Sequence, residues 1–250
     1  MKHFSRLMTV ITLLALCSCS STQKLTRIFI AGDSTAQGYD TTRTLQRGWG
    51  QYLGTYFDKS VEVVNLAKAG RSSGSYINEG RWDSLIVRVH KGDWVLIQFG
   101  HNDTSTKPER HVSPEDYQKN FIRFCDDVRA KKAHPIILTS IVMREFKDSV
   151  LVSLRPHFTE YIGLAIQAAK TAKAPVIDIY QKTSALVRSL GDEPSKKLYF
   201  WVKAGESPNP EEVKQDDTHL KQAGAYKYAG FVAEGIREQN LKPLVKHLKK

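Results

Sequence analysis

Short runs of apolar, largely β-branched residues alternate along the chain with longer amphipathic segments. The apolar runs predict five strands, with the sequences RIFIAG, VEVVNLA, DWVLIQFG, PIILTSIV and PVIDIY. Helical spacing of apolar positions is found around 45–57, 82–90, 115–132 and 157–173, and again from about Lys221 to Gln239. Nearly continuous apolar strands that alternate with helices are typical of an α/β fold, in which helices cover both faces of a parallel sheet.

The amino-terminal segment MKHFSRLMTVITLLALCSC has a different pattern. Lys2 and Arg6 flank the start of an apolar stretch that runs from Leu7 to Leu16, and small or sulfur-containing residues follow it. This is the layout of a secretory signal. The stretch is too short for a transmembrane helix, which needs about 20 apolar residues. Residues 1–18 are therefore predicted to be a cleaved signal peptide.

The end of this segment, LCSC, resembles a bacterial lipobox. Cys19 is preceded by the small Ser18, whereas bulky Leu16 precedes Cys17, so Cys19 is the predicted lipidation site. The predicted organisation is a signal peptide at 1–18, a lipidated tether at 19–25 and one folded domain at 26–250. This predicts an exported protein, anchored to a bacterial membrane only through its lipid, with plain secretion as the alternative.

The length and charge of the mature chain indicate how many domains it has and which partners it can bind. About 230 residues suit a single domain with a full core. The formal net charge of +11 becomes +9 without Lys2 and Arg6, and much of the excess lies in the last residues, LKPLVKHLKK. That run is a solvated tail or a contact for an anionic lipid or polysaccharide. Nucleic acid is not an expected partner of an exported protein, and Cys125 is expected to be a buried, inert thiol.

Polar residues follow three of the predicted strands at the point where each strand ends. These residues lie at 32–34, 69–71 and 100–103, and Asp216 stands three residues before His219 near the carboxyl end of the chain. In parallel α/β folds the ligand crevice lies beyond the carboxyl ends of the strands. We therefore expect a serine, an imidazole and a carboxylate to meet at this edge of the sheet.

These residue types suit acyl transfer. A serine hydroxyl becomes nucleophilic when a neutral imidazole takes its proton, and a carboxylate holds that imidazole in the correct tautomer. Hydrogen-bond donors must also stabilise the developing oxyanion. The backbone N–H groups of Ser34 and Gly70 and the side-chain amide of Asn102 are the candidates. No cluster of histidines, cysteines and acids has metal-ligand spacing, so neither a metal nor a cofactor is expected.

Four short blocks carry a family resemblance. GDST, Gly70 in AGRSS, Asn102 in GHND, and DDTH resemble, in the same order, the four blocks of the SGNH (GDSL-like) hydrolase superfamily. The segments RGWGQYL, NLAKAGRSS, QFGHND and LYFWVKAGESPNPEEVKQDDTHL resemble the rhamnogalacturonan acetylesterase family within it. The resemblance extends from about Ile28 to Ala225.

The resemblance implies a three-layer αβα fold with a five-stranded parallel sheet in flavodoxin-like order. It also implies removal of acetyl groups from the sugar hydroxyls of a pectic backbone. Carried onto this chain, Ser34 is the nucleophile, His219 the base and Asp216 its orienting acid. The oxyanion hole consists of Ser34, Gly70 and Asn102.

The sequence leaves a second interpretation open for several of these residues. Ser34 could cap a helix, while Gly70 and Asn102 could each belong to an ordinary turn. Asp217 competes with Asp216 as the acid, although the Asp-x-x-His spacing of the family selects Asp216.

The candidates for contact with the substrate are tryptophan and arginine side chains. Trp49 and Trp82 are expected to be packed inside the domain, whereas Trp201 is either packed or part of the cleft wall. Arg71 either binds a uronate carboxylate or forms a structural ion pair. Asp33, His101 and Asp103 are expected to support the site rather than to react.

The sequence thus predicts a metal-independent serine carbohydrate esterase that acts on acetylated rhamnogalacturonan or a related plant polysaccharide. One alternative is another SGNH specificity, such as xylan acetylesterase, arylesterase or lipase. The other is a catalytically silent carbohydrate-binding lipoprotein on the cell surface.

Overall fold

The computed structural model describes residues 25–249. The predicted signal peptide at 1–18, the predicted lipidation site Cys19 and the tether as far as residue 24 lie outside the described residues, and these three calls stay predictions. Within 25–249, no helix is long and apolar enough to cross a membrane.

The described chain contains a central sheet and two hairpins. In chain order the strands are β1 (Thr26–Gly32), β2 (Val61–Asn65), β3 (Trp94–Gln98), β4 (His134–Leu138), β5 (Glu145–Lys147), β6 (Val150–Val152), β7 (Val176–Ile177), β8 (Tyr199–Val202) and β9 (Lys214–Leu220). The central sheet has the order β2-β1-β3-β4-β7, and all its pairings are parallel. β5 pairs with β6, and β8 with β9, as antiparallel hairpins. The predicted five-stranded, flavodoxin-like sheet is confirmed.

Helices connect these strands. They are α1 (Ser73–Asn78), α2 (Arg81–Ile86), α3 (Pro114–Ala130), α4 (Phe158–Thr171), α5 (Ile179–Leu190), α6 (Asp192–Ser195) and α7 (Gln222–Glu238). The helix expected around 45–57 is instead a pair of short 3-10 turns, Trp49–Gln51 and Leu53–Tyr56. The patterns for α2, α3, α4 and α7 are confirmed, whereas α1, α5, α6 and both hairpins have no counterpart among the predictions.

Alternation along β1 explains the layered architecture. Ile28 and Ile30 belong to one core cluster, which includes residues of α5 and α7, while Phe29 and Ala31 belong to a second cluster with residues of α1, α2, α3 and α4. Successive side chains of a strand point to opposite faces of the sheet. The strand is therefore buried on both sides, and the predicted three-layer αβα arrangement is confirmed.

The last strand of the sheet is shorter than its sequence suggested. PVIDIY reads as one apolar strand, but only Val176 and Ile177 are extended. The carboxylate of Asp178 accepts a hydrogen bond from the backbone N–H of Gln181 at 3.0 Å and caps the start of α5. Because a cap satisfies backbone donors that have no partner in the first helical turn, the chain turns into a helix at Asp178.

Candidate active site

Ser34 lies in a tight turn at the carboxyl end of β1. The carbonyl oxygen of Asp33 accepts hydrogen bonds from the N–H groups of Ala36 and Gln37, at 3.2 and 3.1 Å. A loop follows, and the next helical residues begin at Trp49. The alternative in which Ser34 caps a helix is therefore wrong, since a turn and a loop follow it.

Buried side chains hold this turn against the sheet. Asp33 accepts hydrogen bonds from the backbone N–H of Thr35 at 2.9 Å and from its hydroxyl at 2.7 Å. The side-chain amide of Gln98, at the end of β3, donates to the Thr35 hydroxyl at 3.1 Å and accepts from the Trp49 indole N–H at 2.7 Å. The backbone that carries Ser34 is thus tied to two strands and to the segment at Trp49.

The structure brings Ser34, His219 and Asp216 together in a chain of hydrogen bonds. Ser34 Oγ is 2.8 Å from His219 Nε2, and His219 Nδ1 is 2.7 Å from Asp216 Oδ2. Ser34 is 7 % exposed and borders a cavity. This geometry suits proton transfer from the serine to an imidazole that a carboxylate orients.

A bulge in the second hairpin carries His219 towards Ser34. Phe200 on β8 pairs with Asp216, and the preceding Tyr199 pairs with Leu220, so 217–219 have no partner on β8. Extra residues in one strand bend it and redirect its side chains. The Asp-x-x-His spacing of the sequence therefore corresponds to a loop of three residues that protrudes from an antiparallel pair.

The carboxylate of Asp216 is held in its ionised form. Burial would raise its pKa, but the hydrogen bond and charge of His219, together with the backbone N–H groups of His219 and Thr218, lower the pKa to about 2. Those N–H groups donate to Asp216 Oδ1 at 2.9 and 2.8 Å. Asp216 is therefore a negatively charged and oriented partner for the imidazole of His219.

Asp217 has different partners from its neighbour. Its Oδ1 accepts hydrogen bonds from Arg144 Nε at 2.6 Å and from the indole N–H of Trp201 at 2.7 Å. Arg144 also pairs with Asp192. Of the two aspartates considered from the sequence, Asp216 is the one that contacts His219.

The three predicted oxyanion-hole residues line one cleft. Ser34, Gly70, Asn102 and His219 border a cavity of about 390 Å³. Gly70 has a φ of +77°, a backbone conformation that residues with a side chain rarely adopt. Asn102 Nδ2 donates one hydrogen to the carbonyl of Arg71 at 3.1 Å, which leaves its second hydrogen for a ligand.

Three buried ionisable groups lie beside the cleft residues. Asp103 accepts hydrogen bonds from the N–H and hydroxyl of Ser73, at 2.9 and 2.6 Å. Burial raises the pKa of Asp103 to about 7, and the charge of Asp33 adds to this effect. Burial also opposes ionisation of Asp33, but contacts with His101 and hydrogen bonds from Thr35 outweigh it and lower the pKa of Asp33.

The ring of His101 lies close to the carboxylate of Asp33, and both groups are buried. Its Nδ1 is 3.4 Å from Asp33 Oδ2, yet neither atom is aligned for a hydrogen bond. None of His101, Asp33 and Asp103 borders the cleft that contains Ser34. As expected from the sequence, these groups support the site.

The aromatic and basic candidates for substrate contact are also placed. Trp49 and Trp82 are fully buried, which confirms that they are packed. The ring of Trp201 lies 4.2 Å from the Lys196 ammonium and borders a separate cavity of about 560 Å³. Arg71 forms a salt bridge with Glu79 at 3.0 Å, so it has a structural partner.

Sequence reasoning missed three residues that border the Ser34 cleft: Tyr39, Gln46 and Arg110. Tyr39 donates a hydrogen bond from its hydroxyl to the carbonyl of Ser34 at 2.9 Å. Tyr39 and Arg110 belong to loops without a helix or strand pattern, and Gln46 lies at the start of the segment 45–57 that was expected to be helical, so no sequence signal marked them as cleft residues.

Cys125 and the acidic side chains are the remaining candidates for metal chemistry. Cys125 is buried, and burial raises the pKa of its thiol to about 12, which agrees with an inert core residue. In the part of the chain from 25 to 249, no group of three or more histidine, cysteine, aspartate or glutamate side chains is placed to hold a metal ion.

The order and geometry of these blocks agree with a known family. Residues 30–227 match the model of the GDSL-like lipase/acylhydrolase family. The chain belongs to this family. The predicted superfamily resemblance is therefore confirmed over most of the chain.

Two curated relatives in the family carry the same name. A rhamnogalacturonan acetylesterase of Bacillus subtilis (strain 168) is 38% identical over 226 residues, which cover 90% of this chain and 95% of the relative. A rhamnogalacturonan acetylesterase of Emericella nidulans is 40% identical over 192 residues, which cover 69% of this chain and 74% of the relative. These relatives confirm the predicted resemblance to the rhamnogalacturonan acetylesterase family.

Solved structures show the same fold. The Bacillus subtilis protein YxiM matches with a TM-score of 0.73 at 26% identity, over 87% of this chain and 58% of that one. An acetylxylan esterase from Geobacillus stearothermophilus matches with a TM-score of 0.63 at 17% identity, over 86% of this chain and 96% of that one. At such low identity the second match supports the GDSL-like fold alone.

Proposed function

We propose that this protein is a serine esterase that removes acetyl groups from acetylated rhamnogalacturonan. The observation that carries the proposal is the hydrogen-bonded chain Ser34–His219–Asp216 in a cleft that Gly70 and Asn102 also line. Membership of the acylhydrolase family and the names of the relatives support an ester of a pectic sugar as the substrate.

In the first half of the reaction, Ser34 Oγ attacks the carbonyl carbon of the acetyl ester while His219 Nε2 takes the hydroxyl proton. The negative charge that develops on the carbonyl oxygen is stabilised by the N–H groups of Ser34 and Gly70 and by the free hydrogen of the Asn102 amide. One such donor typically lowers the barrier by ~2.7 to 4 kcal/mol. The C–O bond to the sugar then breaks, and His219 returns its proton to the sugar oxygen.

In the second half, water attacks the acetyl-serine while His219 again takes a proton. The second tetrahedral intermediate collapses, acetate leaves, and the proton returns to Ser34 Oγ. Asp216 keeps its negative charge throughout, since its pKa is about 2. Its role is to orient the imidazole and to stabilise the imidazolium that forms twice in each cycle.

We further propose that the enzyme is exported and carried as a lipoprotein. The charged start and apolar core of residues 1–18, and the small residue before Cys19, support this location. An extracellular or periplasmic enzyme would encounter polysaccharide fragments before they enter the cytoplasm.

A substrate panel with one variant tests the proposed activity. Purified protein should release acetate from acetylated rhamnogalacturonan faster than from acetylated xylan or from an aryl acetate. Ser34→Ala should lose activity by roughly 10⁴-fold or more, because it removes the nucleophile, while the circular dichroism spectrum stays unchanged. A folded Ser34→Ala protein with most of its activity would exclude the serine mechanism, and a clear preference for xylan would change the substrate.

A further inference from the structure

A second cavity adjoins the cleft that contains Ser34. It has a volume of about 700 Å³ and shares Asn102 and Arg110 with that cleft. Arg155, His101, His111 and His157 also line it, together with uncharged residues. No aspartate or glutamate lines either cavity, although Glu160 lies 2.9 Å from the exposed His157 outside them. The two cavities form one groove whose charged wall is basic.

Arg110 occupies the junction of the two cavities. A Cβ atom built on Gly70 would lie 3.5, 3.6 and 3.9 Å from Nη2, Cζ and Nη1 of Arg110. The end of the Arg110 guanidinium therefore lies beside Gly70. Among the described residues no side chain accepts a hydrogen bond from Arg110 and no carboxylate lies within salt-bridge distance of it.

Arg155 provides a second guanidinium farther along the groove. Its Nη1 donates to the carbonyl oxygen of His101 at 2.6 Å, which anchors the side chain beside Asn102. Within the described part of the chain it forms no salt bridge with a carboxylate, whereas Arg71 and Arg144 both do. Two half-buried arginines therefore face one groove with donors left over.

We infer that Arg110 and Arg155 form a carboxylate-binding subsite that recognises uronate residues next to the acetylated sugar. The inference rests on the proposed function and specifies how that site selects an acidic backbone. A planar guanidinium donates two parallel hydrogen bonds to a carboxylate, which gives orientation as well as affinity. Arg110 lies beside Gly70, so it would hold a charged sugar adjacent to the ester at Ser34.

A different role for Arg110 makes a different prediction. If its charge acted on the oxyanion, or only supported Gly70, its loss would affect charged and neutral substrates alike. If it binds a uronate, the loss would fall mainly on substrates that carry a carboxylate. The ratio of two substrates therefore separates the roles.

The experiment compares an acetylated rhamnogalacturonan oligosaccharide with the same oligosaccharide after its carboxyl groups are reduced to alcohols. For each enzyme the ratio of kcat/KM on the acidic substrate to kcat/KM on the reduced one is measured. Arg110→Gln should lower this ratio by ~10-fold, the effect of a charge-assisted hydrogen bond, and Arg110→Lys by less because the charge remains. Arg155→Gln should lower it as well.

Arg188→Gln is the matched control, since Arg188 is exposed on α5 and borders neither cavity. It should leave the ratio unchanged. An equal loss on both substrates in Arg110→Gln would overturn the inference, as would an unchanged ratio in that variant.

A binding measurement separates this inference from the proposed activity. Calorimetric titration with unacetylated tetragalacturonate requires no catalysis. The wild type and Arg188→Gln should bind it alike, and Arg110→Gln should bind it ~10-fold more weakly. Absence of binding to the wild type would overturn the inference, whereas binding without any acetate release would leave the subsite in place and refute the esterase proposal.

Discussion

At the scale of single residues, Asp216 and Asp217 show how position assigns roles to identical side chains. They are adjacent on β9, where the unpaired residues 217–219 begin directly after Asp216. Asp216 contacts His219, and Asp217 contacts Arg144 and Trp201. The first pair suits catalysis, while the second holds the base of the hairpin.

We predict that Asp216→Asn lowers kcat far more than Asp217→Asn. Loss of the orienting carboxylate costs on the order of 10⁴-fold in a related triad. Asp217→Asn should keep kcat within about tenfold of the wild type but lower the unfolding free energy by ~1 to 3 kcal/mol, because the charge that Arg144 contacts is lost. Steady-state kinetics with urea unfolding of both variants checks this, and the opposite ranking of kcat would make Asp217 the acid.

The buried Asp103 predicts a pH dependence of stability. Its pKa is raised to about 7 in the folded protein, whereas an aspartate in an unfolded chain titrates near 3.9. The folded state therefore binds this proton more tightly, and the contribution of Asp103 to stability is lost as the pH rises from about 4 to about 7. Asp103→Asn removes the titration while its amide oxygen still accepts from Ser73.

The expected result is that Tm falls less between pH 5 and pH 7 in Asp103→Asn than in the wild type. Each kcal/mol of stability corresponds to about 2–4 °C in a domain of this size. Asp126→Asn, which changes an exposed carboxylate on α3, is the control and should follow the wild type. Parallel curves for all three proteins would contradict the role given to Asp103.

At the scale of structural elements, the segment RGWGQ explains how the turn at Ser34 is held in place. Gly48 adopts an extended backbone with φ of −111°, so another residue could adopt its conformation. Its lack of a side chain matters for a different reason. A Cβ there would lie 2.2 Å from the carbonyl oxygen of Gln37 and 2.6 Å from the carbonyl carbon of Ala36. The glycine allows two loops to pack backbone against backbone.

We predict that Gly48→Ala displaces the turn that carries Ser34. Overpacking of this kind costs ~1 to 3 kcal/mol of stability, and a shift of about 1 Å in a catalytic group can lower the rate by ~10²-fold. Gly38→Ala, in the same loop, is the control because no atom lies within 4 Å of its added Cβ. Thermal unfolding and kcat/KM measure both effects. A Gly48→Ala enzyme as active and stable as Gly38→Ala would refute this explanation.

At the scale of the whole molecule, the parallel sheet collects the site from distant parts of the chain. The loops after β1, β2 and β3 and the bulge in β9 meet at one edge of the sheet and supply Ser34, Gly70, Asn102 and His219. β1 begins at Thr26, so only a few residues separate Cys19 from the first strand of the sheet.

The predicted location is tested by Cys19→Ala. This variant should move the protein from the membrane fraction to the soluble fraction without lowering its specific activity, because the lipid would lie outside the folded domain. Several acyl chains at one site bind a bilayer firmly, since each buried CH₂ adds ~0.8 kcal/mol. Fractionation with palmitate labelling measures both effects. A wild type that is soluble and unlabelled would show that residues 1–18 are an ordinary secretory signal.

The sequence by itself determined the fold class and marked the candidate catalytic residues. Alternating apolar runs specify which segments are buried on both faces, and these runs predicted the five parallel strands. Ser34 lies in the short GDST block, and Asp216 and His219 both lie in the short DDTH block. These three residues were therefore recognisable without a structure.

Only the tertiary structure decided which groups pair and which groups form the groove. PVIDIY has the pattern of a strand, yet the Asp178 cap turns it into a helix, and the pairing of β8 with β9 creates the bulge at His219. Asp217 pairs with Arg144 and Arg71 pairs with Glu79, while Arg110 reaches the cleft from a loop. The Arg144–Asp217 pair and the position of Arg110 beside Gly70 depend on contacts between segments far apart in sequence, and the packing of loops, rather than local periodicity, selects those contacts.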